Sequence, residues 1–160
     1  IAEAGMRTIN MGILLGLSPV APDIHALFSH LRWMERHYPG EEYAVSFPRL
    51  VPLKGNGTQY YDVPDTMLIK LICLARILFP RVSINLSTRE GARIRDHAVE
   101  FGVTRMSAAS RTTVGGYGLG DEHDPQFDVI DSRSVEQIVG MLNEKGFDPV
   151  FTDWRRISNR

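Results

Sequence analysis

Three times in succession a short β-branched or apolar run gives way to an amphipathic helical stretch, and the series closes on a fourth short run. Few folds accept such a pattern. Consecutive strand–helix units place their strands in one parallel sheet, because each helix carries the chain back to the edge it left. Thr8 to Leu15 reads as a buried strand, entered from a turn at Gly5 and closed by Gly16. Pro22 lies in the first turn of a helix whose apolar positions Ile24, Leu27, Phe28, Leu31, Met34 and Tyr38 follow the helical period until Pro39-Gly40. Tyr43 to Phe47 is the second strand, ended by Pro48.

A polar loop, Lys54 to Thr58, leads to a helix over Thr66 to Phe79 with Asp65 as its expected cap and Pro80 as its stop. This helix is apolar on nearly every side, which predicts packing between other elements or beneath a partner. Val82 to Leu86 is the third strand, Glu90 to Phe101 a shorter helix ended by Gly102, and Val103 to Ala108 the fourth strand. The rhythm then changes. A glycine-rich acidic loop runs from Thr113 to Asp124, and Ser134 with Gln137 forms a capping-box pair for a last helix through Lys145, with Gly146 beyond it.

The fold class is therefore α/β, either an open doubly wound sheet or part of a (β/α)8 barrel. At 160 residues the chain is too short for a complete barrel, which needs about 250. The balance of 18 basic against 19 acidic side chains gives no electrostatic reason to hold nucleic acid or a membrane surface. No apolar run reaches the roughly 18 residues needed to span a bilayer. The single cysteine, Cys73, makes neither an internal disulfide nor a thiolate-held cluster, and points to a reducing, cytoplasmic setting. Ile1 at the start, with neither initiator methionine nor signal pattern, is read as a cut.

In either architecture ligands meet the carboxyl ends of the strands. Those ends read Gly12 to Leu17, Ser46-Phe47-Pro48-Arg49, Ser87-Thr88-Arg89-Glu90 and Ser107-Ala108-Ala109-Ser110. Two arginines and several hydroxyls at equivalent ends suit an anionic ligand, since a guanidinium grips a carboxylate through two parallel bonds. The structural alternative is that such an arginine bridges neighbouring loops or pairs with a nearby acid, and Arg89 is adjacent to Glu90. The GxxxG of the first strand departs from the dinucleotide spacing. His25, His30, His37, His97 and His123 form no metal-ligand pair and are read as solvated; Cys73 is read as a small buried hydrophobe. Acidic neighbours around Gly115 to Gly120 oppose phosphate binding, so that stretch reads as a lid or a surface loop.

The same strand ends carry a resemblance. Gly12-Ile13-Leu14-Leu15-Gly16-Leu17, Ser46-Phe47-Pro48-Arg49-Leu50, Leu86-Ser87-Thr88-Arg89-Glu90 and Thr104 to Ser110 are similar, in order and spacing, to the C-terminal half of the radical S-adenosylmethionine aromatic amino-acid lyases. Gly115-Gly116-Tyr117, Gln126-Phe127, Asp131-Ser132-Arg133-Ser134 and Gly146-Phe147-Asp148-Pro149-Val150 continue it. The nearest branch is the tyrosine-cleaving one of thiamine biosynthesis.

The resemblance implies a half barrel holding strands five to eight over residues 1–112, and a C-terminal associated segment over 113–160. It implies a 4Fe–4S cluster that cleaves S-adenosylmethionine reductively, hydrogen abstraction from tyrosine, and Cα–Cβ cleavage to p-cresol and dehydroglycine. Gly12, Ile13, Leu14 and Gly16 match the strand against the adenosyl group. Arg89 matches the arginine that clamps the substrate carboxylate, Ser107 the hydroxyl beside it, and Arg49 the family's Pro-Arg. An aromatic amino acid is the implied substrate and a thiazole-synthesis protein the implied partner.

Two departures accompany it. Val51 stands where the family has a second arginine, and the cluster motif CxxxCxxC is absent, so this chain alone is expected to be inactive. The hydrogenase-maturation branch carries a late CxxC where this chain reads Val150 to Trp154, while the tryptophan lyases share the arginine and serine. The competing class is a non-catalytic half-barrel module that dimerises through its exposed sheet edges.

Overall fold

A computed structural model describes residues 1–50, 60–112 and 129–152. The polar loop, the glycine-rich stretch with Tyr117 and His123, Gln126-Phe127, Val51 and the tail from Asp153 lie outside the described residues.

Four strands, β1 (Thr8–Gly12), β2 (Glu42–Ser46), β3 (Ser83–Leu86) and β4 (Arg105–Met106), form one parallel sheet in the order β1-β2-β3-β4. A doubly wound sheet reverses its order at a switch point; this sheet does not. The connecting helices are α1 (Val20–His37), α2 (Asp65–Leu78) and α3 (Ala92–Ala98), the last running into a 3-10 turn over Val99–Phe101; α4 (Val135–Glu144) follows β4.

The strands are shorter than their sequence runs. β1 stops at Gly12 because Pro48 has no N–H for the ladder; only an isolated bridge, Leu15 to Arg49, resumes the pairing. The buried strand expected over Thr8 to Leu15 is buried on one face alone: Ile9 and Leu15 are in the core, while Asn10 and Gly12 are exposed. That alternation holds across the sheet. Ile9, Tyr43, Val45, Ile84 and Leu86 pack against Leu27, Phe28 and Leu31 of α1 and Leu68 and Ile72 of α2. The opposite face carries Asn10, Gly12, Ala44, Ser46, Asn85 and Arg105, in register across the strands.

Helix ends are satisfied in specific ways. The Tyr43 hydroxyl donates to the Met34 and Tyr38 carbonyls at the end of α1, at 3.1 and 2.8 Å. Arg76 near the end of α2 donates to Pro80, Val82 and Gly102 carbonyls. Asp65 does not cap α2: Pro64 holds the cap position, and Asp65, the first helical residue, pairs with Arg49 and Arg93 instead. Both halves of the Ser134–Gln137 capping box form as expected. The over-apolar α2 buries Leu68, Leu71, Ile72 and Ala75, leaves Cys73 half-buried and exposes Leu74, Ile77 and Leu78. Among the described residues no helix is long and apolar enough to cross a membrane.

Candidate functional site

The polar face of the sheet opens at the strand carboxyl ends into a cavity of about 530 Å³. Asn10, Ser46, Asn85, Ser87, Arg89 and Ser107 line it, with Phe47, Pro48 and Met106 as apolar walls. A second cavity of about 350 Å³ adjoins it, lined by Arg49, Tyr60 and Tyr61 among others, and Arg89 and Glu90 belong to both. Arg89 therefore stands at the junction of two spaces. Its backbone N–H lies 3.4 Å from the Ser87 hydroxyl oxygen, in the turn that ends β3.

Ser107 is fixed from two sides. Its N–H donates to the Leu86 carbonyl at 3.1 Å, and its own carbonyl accepts from the Arg95 guanidinium. Arg95, fully buried on α3, also pairs with Asp131. Asp131 in turn accepts from the Nε–H of Arg133 at 2.9 Å, and Arg133 reaches Asp96 on α3 at 2.7 Å. The N–H groups of Ile130 and Asp131 donate to the Thr88 carbonyl at 3.0 and 3.1 Å, so the segment before α4 is laced onto the β3–α3 turn that carries Arg89. Hydrogen bonds from Arg133 above all, with Arg95 adding to them against the cost of burial, hold the Asp131 carboxyl down at about 2. Burial pushes the Arg95 guanidinium below its ordinary value, partly countered by Asp131.

Of the residues expected at the site, Arg89 and Ser107 meet at the first cavity. Arg49 lines the second, where its guanidinium is committed: Nε donates to both Glu90 oxygens at 3.1 Å, Nη2 also reaches Glu90, and Nη1 reaches the Val63 carbonyl and Asp65, each at 2.9 Å. Glu90 is 3% exposed, and its hydrogen bond keeps Arg49 above its ordinary value. The structural alternative weighed from the sequence, an arginine after a strand that pairs with an acid, is thus realised by Arg49, though with Glu90 as the specific partner 41 residues away. Sequence reading did not foresee the Arg95–Asp131–Arg133–Asp96 chain. The available signal was Arg95 itself, a charge in the buried phase of α3 beside Ile94 and Ala98, where it needs a partner.

Gly12, at the end of β1, and Ile13 and Leu14 just beyond it follow the open edge of the sheet, whereas Gly16 is buried and its carbonyl accepts from the Tyr61 N–H at 2.9 Å. The Ile13 N–H reaches the Ser46 carbonyl at 3.4 Å and the Leu15 N–H the Pro48 carbonyl at 2.8 Å. Strand alternation turns the backbone groups of Gly12 and Leu14 to the other side. Glycine at 12 has a local cause as well: a Cβ there would sit 2.4 Å from the Ser46 hydroxyl and 2.9 Å from its carbonyl oxygen. Gly12→Ala should accordingly cost about 1–3 kcal/mol by forcing β1 from β2; an unchanged urea midpoint would contradict that close approach.

His25, His30, His37 and His97 are exposed, and among the described residues no three His, Cys, Asp or Glu side chains cluster as metal ligands. With one cysteine in the chain, these residues do not fit a 4Fe–4S cluster.

A parallel α/β sheet with a polar pocket at its carboxyl ends, and a segment from beyond the last strand that folds back onto the β3–α3 turn, defines a class. The chain belongs to the Biotin and Thiamin Synthesis associated domain family, which it matches over residues 46–148. It is 37% identical over 157 residues to the 2-iminoacetate synthase of Salmonella typhimurium and 35% identical over 155 residues to that of Escherichia coli. These alignments take in 96% of this chain and 41% of each relative, so the chain spans about two fifths of their length and corresponds to their C-terminal part. Among solved structures it is similar to the FeFe-hydrogenase maturase HydG of Carboxydothermus hydrogenoformans, with TM-score 0.79, 38% identity, and coverage of 93% of this chain and 34% of that one. A second HydG structure gives TM-score 0.83 at 33% identity, covering 94% of this chain and 33% of the other. The resemblance read from the strand ends thus agrees with both the sequence relatives and the fold.

Proposed function

We propose that this chain forms the substrate-holding half of a radical S-adenosylmethionine lyase that cleaves the Cα–Cβ bond of tyrosine to p-cresol and dehydroglycine for thiazole synthesis. The observation that carries this reading is the convergence of Arg89, Ser87 and Ser107 on one polar cavity at the strand ends. Arg89 grips the substrate carboxylate and Ser107 donates a further hydrogen bond. Arg49 acts by holding Glu90, the residue next to Arg89, rather than by free donors of its own. A reactive intermediate needs one pose, and a two-point hold on the non-reacting end supplies it.

The sequential parallel strands are those of a half barrel, strands five to eight over residues 1–112, with 113–160 as the associated segment. The stretch through Gly12, Ile13, Leu14 and Gly16 is the side against which S-adenosylmethionine lies. The cluster belongs to a region outside these residues, a thiazole-synthesis protein takes the product, and the single cysteine suits a reducing cytoplasm.

The test is anaerobic incubation of the full-length protein with tyrosine, S-adenosylmethionine and a reductant. Release of p-cresol is expected. Fragmentation of tryptophan in its place would move the protein to the tryptophan branch. A second reading, a non-catalytic module that dimerises through its sheet edges, draws on β1 and β4 each having one open side and on exposed Val150 and Phe151. A native gene product that sediments as a stable iron-free dimer would replace the enzyme reading with that one.

A further inference from the structure

Below Arg89 and Ser107 the cavity floor holds two amides. Barrel interiors are ordinarily filled by layers of bulky branched side chains, but here the sheet positions that line the cavity include Asn10 on β1, Ser46 on β2, Asn85 on β3 and, beside Asn85, Arg105 on β4. Asn10 and Asn85 sit on strands that are not neighbours. They meet because β2, between them, presents only small residues: Ala44 pairs with Asn10 and Ser46 with Asn85. Over that low ground Nδ2 of Asn85 donates to Oδ1 of Asn10 at 3.1 Å.

The bond leaves each amide half used. Oδ1 of Asn85 is buried without a partner, which costs on the order of 1–3 kcal/mol if it stays so. Asn10 is exposed, and its Nδ2 donors make no bond among the described residues. The pair therefore carries one unused acceptor, buried just behind the cavity wall, and one unused donor group, exposed on it. Exchanging oxygen and nitrogen in both amides swaps the roles and leaves the same pair of functions. The side-chain torsion that turns the Asn85 acceptor toward the cavity is a broad one. The group that complements a donor and an acceptor together is a hydroxyl.

Position adds to chemistry. Asn85 lies two residues before Ser87 on the same face of β3, hence about 6.6 Å lower along the strand, with Arg89 beyond. That separation matches the reach of a para-hydroxyphenyl side chain from its backbone carbons. We propose that Asn10 and Asn85 form the phenol-reading end of the substrate site: Asn85 accepts the phenolic proton and Asn10 donates to the phenolic oxygen. The inference rests on the lyase reading above and deepens it, because it selects among aromatic amino acids. Phenylalanine leaves both amides unpaired. An indole N–H satisfies the acceptor only.

Tyrosine and phenylalanine affinities of the full-length protein, by calorimetry, together with kcat/KM for tyrosine, test this in Asn10→Ala and Asn85→Ala. Each variant is expected to lose about tenfold or more of the wild-type preference for tyrosine over phenylalanine. Phenylalanine affinity should stay within about threefold. Asn10 is exposed, so its truncation leaves the core intact and the result stands on it even if Asn85→Ala fails to fold. A wild type that prefers tyrosine, with Asn10→Ala keeping the same ratio, overturns the amide assignment alone. A wild type that binds neither amino acid overturns the lyase reading beneath it.

Discussion

Asp131→Ala should destabilise the protein by about 3–5 kcal/mol, the loss that follows when one partner of a buried ion pair is removed. The reason lies in what remains. Arg95 is fully buried on α3, and without Asp131 its charge keeps the Ser107 carbonyl as its one hydrogen-bond acceptor among the described residues. Arg133→Ala should cost less, because Asp131 would keep Arg95 and because Arg133 is partly exposed. Urea unfolding of the two variants measures the order; equal losses would show that Arg95 is not the group left stranded.

The same pair sets a pH dependence. The folded Asp131 carboxyl is held at about 2, below its ordinary 3.8, chiefly by Arg133. A depressed carboxylate contributes stability that is complete above its unfolded value and is lost as pH falls through its folded one. The midpoint should therefore hold above about pH 4.5 and fall steeply between about 4 and 2, and Asp131→Asn should flatten that limb.

How much of this was legible depends on whether the cause was local. Strand–helix alternation, the Ser134–Gln137 box and the left-handed Gly102 and Gly146 are decided within a few residues, and the sequence pattern carries them. The loss of β1 after Gly12 needed one nonlocal fact, that Pro48 lies opposite and lacks an N–H. Asp65 is the first helical residue and not the cap, a difference the sequence hides because an acidic side chain suits both the cap and the first turn beside the positive helix end. The strand-end rule places Arg89 and Ser107 at the cavity without any knowledge of contacts. It could not assign Arg49, because the grip of Glu90 and Asp65 joins residues brought together by the sheet and not by the chain. The Asn10–Asn85 bond, spanning 75 residues and skipping a strand, has no one-dimensional signature at all.

Arg89→Ala in the full-length protein should lower kcat/KM for tyrosine by about 30-fold to 3,000-fold. The range follows from the roughly 2–5 kcal/mol lost when one partner of a buried charge pair is truncated, at 1.4 kcal/mol per factor of ten. Arg89→Lys keeps the charge and discards the planar fork, so it should fall between the two. Ser107→Ala removes one neutral donor and should cost about tenfold or less. A loss of activity alone would not prove a carboxylate contact, since Arg89 also separates the two cavities and its removal could reshape both. Tyramine supplies the control, because it keeps the phenol and the amine and has no carboxylate to grip. Wild type and Arg89→Ala should bind tyramine equally while differing for tyrosine by the full factor. Equal losses for both ligands would make Arg89 a wall of the pocket, and the anion would have to be sought at another strand end.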